Sequence, residues 1–173
     1  MTYLKDKYQF PVVDRAIFEE KFPNSYSVKS RRQKIIIKGL NLLDACLDLE
    51  WDTIPWKTTI IFYSDSISKL KLSLAIINSR LCIFYMKSKY ESASYNWWIS
   101  FTKDMIQDFP LPFIADLNNF IVSQIESLVD SILETKKWDS KTNTSDLEQK
   151  IDDLVYKLYD LTEEEIAIVE GDK

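Results

Sequence analysis

The chain has 173 residues, 46% of them apolar, and a formal net charge of −5, a length and composition that fit one domain, alone or with a helical extension. It has no histidine and only two glycines, which argues against histidine catalysis, most catalytic zinc sites and glycine-rich phosphate loops. Because its apolar runs are too short to cross a bilayer and its N-terminus lacks a signal-peptide pattern, we expect a soluble cytoplasmic protein. From the missing histidine and the scarcity of glycine we also expect no catalytic residue, metal site or cofactor in this chain.

The first 39 residues are basic, with nine Lys or Arg against four Asp or Glu. Five of these cations lead into a predicted strand: Lys29, Arg31, Arg32, Lys34 and Lys38. They are the stronger candidates for contact with a polyanion, with Arg31 and Arg32 preferred because the planar guanidinium fits phosphate oxygens as well as guanine edges. The alternative is a solvated approach to a strand, since alternation sends only part of the set to one face.

Two β-branched and aromatic runs, 33–40 and 58–64, have the length and composition of strands. The segment between them contains Asp and Pro and is predicted to be a connection. Cys46 and Cys82 lie in apolar sequence without CxxC spacing, so we predict that both are buried free thiols.

A buried helix is predicted next, because apolar residues recur at spacings of three and four from Ile67 to Tyr85. An Asn-Ser-Arg step interrupts this apolar sequence. We predict a structural role for Asn78 and Ser79, whose side chains would bond to neighbouring backbone.

The same helix carries three further cations, Arg80, Lys87 and Lys89. Long cationic side chains can lie along apolar surface and extend their charged ends to phosphates, so we include all three among the candidate polyanion contacts. For Arg80 the alternative is an ion pair with an acidic residue.

The segment 93–101 is predicted to be another strand, and the sequence FPLP then breaks the pattern. Each proline restricts its own φ and biases the preceding residue toward extended backbone. We therefore place a boundary between an α/β part, 1–108, and a helical part, 109–173.

Two narrow apolar stripes, 114–132 and 147–161, follow this boundary and predict an antiparallel helical hairpin. Ser145 and Thr162 each precede a Glu by three residues, the pattern of a capping box at a helix start, so a short third helix is also predicted. The expected fold is α+β: a small mixed sheet with a packed helix, followed by the C-terminal hairpin.

Charge separates along the chain: residues 1–39 carry net +5, residues 40–108 net −1 and residues 109–173 net −9. A basic head and an acidic tail indicate one surface for a polyanion and another for water or a protein neighbour. The alternative is that scattered charges only solvate the surface.

Four segments carry a resemblance to a known family, in order along the chain. They are "KIIIKGLNLLDACLDLEWDTIPWKTTIIF", "LSLAIINSRLCIFYM", "FPLP" and "LEQKIDDLVYKLYDLTEEEIAIVE". Over roughly residues 28–170 the chain resembles the TaqI-like C-terminal specificity domain, the target-recognition part of type IIG restriction-modification enzymes and related adenine-specific DNA methyltransferases. The last of the four segments is the most specific.

The resemblance implies DNA recognition without catalysis by this chain. In such enzymes a methyltransferase domain binds S-adenosylmethionine and flips the target adenine, a nuclease part cuts, and the specificity domain reads the duplex. No Asn-Pro-Pro-Tyr motif occurs here, so S-adenosylmethionine and Mg are expected only in separate catalytic parts. The implied partners are double-stranded DNA and a methyltransferase or nuclease domain or subunit. The resemblance therefore makes the eight cations named above, from Lys29 to Lys89, the predicted DNA contacts. The alternative function is a protein-interaction or assembly module that uses the acidic hairpin, which is also the expected surface of any homo-oligomer.

Overall fold

The computed structural model describes residues 14–30, 33–39, 44–50, 53–55, 59–90, 101–112 and 119–171. These residues form an α+β fold with eight helices and one three-stranded sheet. The helices are α1 Arg15–Lys21, α2 Pro23–Ser30, α3 Ile67–Asn78, α4 Arg80–Lys89, α5 Lys103–Gln107, α6 Asn119–Trp138, α7 Ser145–Leu158 and α8 Glu163–Glu170. The strands are β1 Lys34–Lys38, β2 Ala45–Asp48 and β3 Thr59–Tyr63.

The three described strands are all antiparallel, in the order β2-β1-β3. The α+β class is therefore confirmed, and the described part of the sheet, which was predicted to be mixed, is antiparallel. Strand β2 lies in the segment that was predicted to be only a connection. The sequence did not reveal this strand, because four residues are too few to give a clear alternation of apolar and polar side chains. The strand predicted at 93–101 falls almost wholly outside the described residues.

One face of the sheet packs against α3. Ile35 and Ile37 of β1 are fully buried in the core on this face, together with Ala45 and Leu47 of β2. Helix α3 contacts both strands. The branched side chains of β1 are stiff and pack well on a pleated surface, which is why this short apolar run forms a strand.

The predicted long helix consists of two helices that meet at Ser79. The Ser79 hydroxyl donates to the Ile76 carbonyl at 2.7 Å and accepts from the Cys82 N–H at 3.2 Å, so it caps the start of α4. The fully buried Asn78 amide accepts from the Ala45 N–H at 2.9 Å and donates to the Ala45 carbonyl at 3.0 Å. The structural role predicted for Asn78 and Ser79 is confirmed, and the Asn78 amide satisfies the outward-facing backbone groups of Ala45 on the edge strand β2.

The predicted hairpin and short third helix are confirmed as α6, α7 and α8. The packed side of the hairpin is formed by Ile125, Val129 and Ile132 of α6 with Ile151 and Val155 of α7, all almost completely buried. Ile125, Ile132 and Ile151 belong to the predicted apolar stripes, which explains why the periodicity identified the hairpin, whereas Val129 and Val155 were not among the predicted stripe residues.

The two predicted capping boxes have different outcomes. At the start of α8, the Thr162 side chain accepts from the Glu165 N–H while the Glu165 carboxylate accepts from the Thr162 N–H, so this box is confirmed. At α7 the predicted box at Ser145 was wrong, because Thr144 is the N-cap and Ser145 is the first helical residue. The Thr144 hydroxyl instead donates to the Glu148 carboxylate at 2.8 Å.

A single hydrophobic core joins the parts that precede and follow residue 108. Helix α3 contacts the sheet as well as α6 and α7. The FPLP turn is held by two tyrosine hydroxyls: Tyr85 donates to the Asp108 carbonyl at 3.2 Å and Tyr159 donates to the Pro110 carbonyl at 2.9 Å. The domain boundary stays a prediction, and the described residues on its two sides share one core.

Both cysteines are buried and free, as predicted. Among the described helices, none combines the length and apolarity needed to span a membrane.

Candidate nucleic-acid interface

Six of the eight cations predicted to contact DNA lie in the described part of the fold, on the three elements α2, β1 and α4. Arg31 and Arg32, the preferred contacts, lie outside the described residues. The other six are Lys29 on α2, Lys34 and Lys38 on β1, and Arg80, Lys87 and Lys89 on α4.

Lys34 is not available to DNA, so its prediction as a contact was wrong. Its side chain is 0% exposed and its Nζ lies 2.8 Å from Oδ2 of Asp48, which is also 0% exposed. The two residues are direct cross-strand partners in β1 and β2. Asp48 Oδ2 also accepts from the Thr53 N–H at 3.1 Å. A buried ammonium needs such an anion to offset its lost hydration, so this pair is structural.

Lys29 is held in a defined position at one end of the sheet. Its Nζ donates to the Pro55 carbonyl at 3.0 Å. The preceding residue, Val28, accepts through its carbonyl from the Tyr63 hydroxyl, and Tyr63 lies opposite Lys34 in the β1–β3 register. The half-buried Lys29 ammonium keeps further N–H donors beyond the one bonded to Pro55, so it can still meet an anion.

Lys38 and Lys87 lie apart from this end of the sheet. The half-buried Lys38 ends β1, about 14 Å along the strand from Lys34 at roughly 3.4 Å per residue. The exposed Lys87 lies in the last turn of α4, which packs on α3, α7 and α8, whereas β1 packs on α3 and its neighbouring strands. The described strand and helix cations are therefore not gathered into one cluster.

Arg80 pairs with acidic residues of the C-terminal helices, the alternative considered for it. Its Nε lies 3.5 Å from Asp152 Oδ2, its Nη1 pairs with Glu170, and its backbone N–H donates to Asp152 Oδ1 at 2.9 Å. The Tyr156 hydroxyl donates to Glu170 at 2.6 Å. We call these four residues the Arg80 cluster. It joins α4 to α7 and α8, so Arg80 is better explained as a structural residue than as a DNA contact.

The Arg80 cluster contains a carboxyl group with a perturbed pKa. Burial raises the pKa of Asp152 to about 6, although the Arg80 N–H and the Arg80 charge act in the opposite direction. The charges of Asp153 and Glu148 raise it further. The charge of Asp152 therefore changes at mildly acidic pH.

Lys89 takes part in a second cluster, with Tyr85, Tyr90 and Asp108, beside the FPLP turn. Its Nζ pairs with Asp108, donates to the Tyr85 hydroxyl at 2.8 Å and lies 5.1 Å from the Tyr85 ring centroid. The Tyr90 hydroxyl donates to Asp108 Oδ2 at 2.6 Å. The hydrogen bonds to Asp108 and Tyr85 raise the pKa of Lys89, and the bonds from Lys89 and Tyr90 lower the pKa of Asp108. The ammonium is therefore directed at Asp108, while the Lys89 side chain remains 42% exposed.

The sequence reasoning missed the acids that hold these cations. Asp48, Asp108 and Asp152 are distant in sequence from Lys34, Lys89 and Arg80, so no helical spacing connects them. Only the i, i+4 neighbours within a helix, such as Tyr85 and Lys89, were visible in the sequence.

Comparison with protein-family models and with curated proteins found no match to this chain.

Proposed function

We propose that this chain recognises duplex DNA in the cytoplasm and positions it for a separate catalytic domain of a restriction-modification enzyme. The family resemblance of its ordered motifs supports this proposal. The methyltransferase and nuclease activities would belong to that separate domain or subunit, which would hold S-adenosylmethionine and Mg.

The observation that carries the proposal is the separation of charge between the two ends of the chain. Residues 1–39 carry net +5 and residues 109–173 carry net −9. DNA affinity depends mainly on cations that neutralise phosphates, so the N-terminal part would face the duplex and the acidic hairpin would face away from it.

Lys29 is the described cation that best fits such an interface. The Pro55 carbonyl and the neighbouring Val28–Tyr63 hydrogen bond hold it in place. Arg31 and Arg32 follow it by two and three residues along the chain. A cation held by the fold loses less conformational freedom on binding than a freely rotating one.

The proposed contact set is smaller than the one predicted from the sequence. Lys34 and Arg80 are removed because each has acidic partners within the fold. Lys89 is a weaker candidate because Asp108 holds its ammonium. The retained residues are Lys29, Arg31, Arg32, Lys38 and Lys87.

The test is fluorescence anisotropy of a labelled duplex across a salt series. We expect the chain to bind with a Kd of about 10⁻⁴ to 10⁻⁶ M, as for electrostatic contact, and binding to weaken steeply with salt. The double variant Arg31→Ala/Arg32→Ala should bind more weakly and lower the salt slope by roughly one to two, because each phosphate contact contributes about one counterion.

A matched control removes two cations from the acidic hairpin instead. Lys137 and Lys141 are both exposed near the turn between α6 and α7, so Lys137→Ala/Lys141→Ala changes the net charge by the same amount. This control should bind nearly as wild type does. An equal loss of DNA affinity in both double variants would show that only the net charge of the chain matters. If wild type does not bind the duplex even at low salt, the proposal is refuted.

A further inference from the structure

The last turn of α2 is the place where the N-terminal helices meet the sheet. In the described helices α1 and α2, Ser30 at the end of α2 is the only buried residue. The Val28 carbonyl is one of the last four of α2, which a helix cannot satisfy by itself, and it accepts from the Tyr63 hydroxyl at the end of β3. The Lys29 ammonium donates to the Pro55 carbonyl at 3.0 Å. Two side-chain hydrogen bonds therefore fix the end of α2 against the sheet.

Both bonds lead back to one row of residues across the sheet. Lys34 of β1 lies opposite Asp48 of β2 on one side and opposite Tyr63 of β3 on the other. Tyr63, at one end of the row, holds the Val28 carbonyl. Asp48, at the other end, pairs with the Lys34 ammonium at 2.8 Å and accepts from the Thr53 N–H at 3.1 Å. The row therefore reaches beyond the sheet at both of its ends.

Thr53 connects this row to the partner of Lys29. Thr53 and Pro55 are both buried, and Pro55 follows Thr53 by two residues. The bond from Thr53 to Asp48 fixes the start of this short segment, and the ring of Pro55 restricts its own φ. The carbonyl that receives the Lys29 ammonium is therefore held by the buried ion pair.

Lys34 can thus serve binding at the end of α2 without touching a ligand. Its ammonium is 0% exposed, and it neutralises the carboxylate that holds Thr53. A cation that the fold already holds loses less conformational freedom on binding than one that must first be ordered. The position of Lys29 before the duplex arrives therefore affects how tightly it binds phosphate.

We propose that the row Asp48, Lys34 and Tyr63 positions Lys29 so that its ammonium meets a phosphate of duplex DNA. This inference rests on the proposed DNA recognition. It gives Lys34 and Tyr63 the role of positioning residues, which act on binding through Lys29 and need no contact with DNA.

The test is Tyr63→Phe, which removes the hydroxyl and keeps the ring. Fluorescence anisotropy of a labelled duplex across a salt series measures binding, with circular dichroism to show that the variant is folded. We expect the Kd at low salt to rise by about threefold to tenfold. The salt slope should fall by roughly one, because the phosphate contact of Lys29 contributes about one counterion.

Tyr159→Phe is the matched control. The Tyr159 hydroxyl also donates to a backbone carbonyl, that of Pro110 at 2.9 Å, in the helical part of the fold. This variant loses a hydrogen bond of the same kind and should keep the wild-type Kd and salt slope. An equal loss of DNA affinity in both variants would overturn the positioning role of Tyr63.

A double-mutant cycle shows whether Tyr63 acts through Lys29. Lys29→Met alone should weaken binding and lower the salt slope by roughly one. Adding Tyr63→Phe to this variant should cause little further loss, because the cation that Tyr63 positions is already absent. The proposal is overturned if the two losses add in full, or if Tyr63→Phe binds DNA as wild type does.

The other end of the row is tested by Lys34→Met/Asp48→Leu, which leaves the net charge of the chain unchanged. This variant removes the carboxylate that holds Thr53, so it should bind DNA more weakly than wild type and with a lower salt slope. Wild-type affinity and slope in this variant would exclude the buried ion pair from the positioning of Lys29.

Amide hydrogen exchange without DNA separates this inference from the proposed function. Exchange in the last turn of α2 should be faster in Tyr63→Phe than in wild type, and unchanged in Tyr159→Phe. Unchanged exchange in Tyr63→Phe would overturn the positioning role and leave the proposed DNA recognition standing. Faster exchange in a chain whose wild type binds no DNA would confirm that Tyr63 holds α2 and refute both proposals about DNA.

Discussion

Two Lys–Asp pairs in this protein have the same chemistry and different surroundings. Lys34 and Asp48 join β1 to β2, and both side chains are 0% exposed. Lys89 and Asp108 join α4 to the FPLP turn, with side chains 42% and 47% exposed. Water can replace either partner in the second pair, but it cannot reach either partner in the first.

This difference separates a contact that the fold depends on from one that adds little to it. Removing one member of a buried pair leaves an uncompensated charge in a medium that solvates it poorly. An exposed ion pair adds little to the stability of the fold, because water screens the attraction between the charges and the long side chains lose conformational freedom when they pair. The sheet region should therefore be far more sensitive to loss of a single polar side chain than the surface of the helical region.

The largest effect is expected for Lys34→Met. The variant leaves the Asp48 carboxylate buried without its cation and should lower the free energy of unfolding by about 3 to 5 kcal/mol. Urea unfolding followed by circular dichroism measures this change. The control is Lys34→Met/Asp48→Leu, which removes both charges and should recover most of the lost stability. If the single variant is as stable as wild type, the pair is not buried in solution.

A second expected effect concerns a neutral buried contact of the same sheet. Asn78→Ala removes both hydrogen bonds to Ala45 and should cost about 2 to 4 kcal/mol, because a buried N–H and a buried carbonyl both lose their partner. The same urea experiment applies. Asn24→Ala on exposed α2 is the control and should be nearly neutral. If the two variants have similar free energies of unfolding, the backbone N–H and carbonyl of Ala45 find other hydrogen-bond partners without Asn78.

The third effect is a pH dependence in the Arg80 cluster. The pKa of Asp152 is raised from 3.8 to about 6 by burial, so the folded state binds a proton more tightly than the unfolded state does. The resulting stabilisation is complete below about pH 4 and is lost as the pH rises through 6. Relative to Asp152→Asn, wild type should gain on the order of 2 to 3 kcal/mol when the pH falls from 7 to 4, since one pKa unit corresponds to about 1.4 kcal/mol. A constant difference between wild type and variant across this range would show that Asp152 does not titrate there.

The smallest effect is expected for Lys89→Met. The variant removes the ammonium from Asp108 and from the Tyr85 ring, but the Lys89 side chain is 42% exposed and such pairs add little to stability, so the unfolding midpoint should change by little more than the error of the measurement. Comparing urea midpoints of this variant and Lys34→Met tests the contrast directly. A loss as large as that of Lys34→Met would contradict the assignment of the Lys89–Asp108 pair to the solvated surface.

The helical part of the fold was largely predictable from the sequence, because helix periodicity is a local property. The stripe containing Ile125 and Ile132 identified α6, and the Thr162 capping box identified the start of α8. The same stripes also include Leu128 and Leu154, which are half-buried and line the outer groove of the hairpin. Periodicity indicates which side chains share a face, but the width of the buried part depends on the helices that pack against it.

The candidate DNA interface was less predictable, because the position of a cation in the sequence does not reveal its partner. Lys34 and Lys38 are equivalent in a strand pattern, yet Lys34 faces Asp48 inside the protein and Lys38 is half-buried at the strand end. Arg80 was recognised as a possible ion-pair member, but its partners lie about 70 to 90 residues away in sequence.

The sequence by itself determined the α+β class, the hairpin, the buried cysteines and the structural role of Asn78, since composition, period and local hydrogen-bonding capacity decide these features. Only the tertiary structure decided the antiparallel direction of the sheet, the presence of β2 and the pairing of Lys34, Arg80 and Lys89 with acids. These features depend on which distant segments of the chain pack together. Packing also decides whether a charged side chain stays in water or is buried in the core, where it is stable only beside an opposite charge.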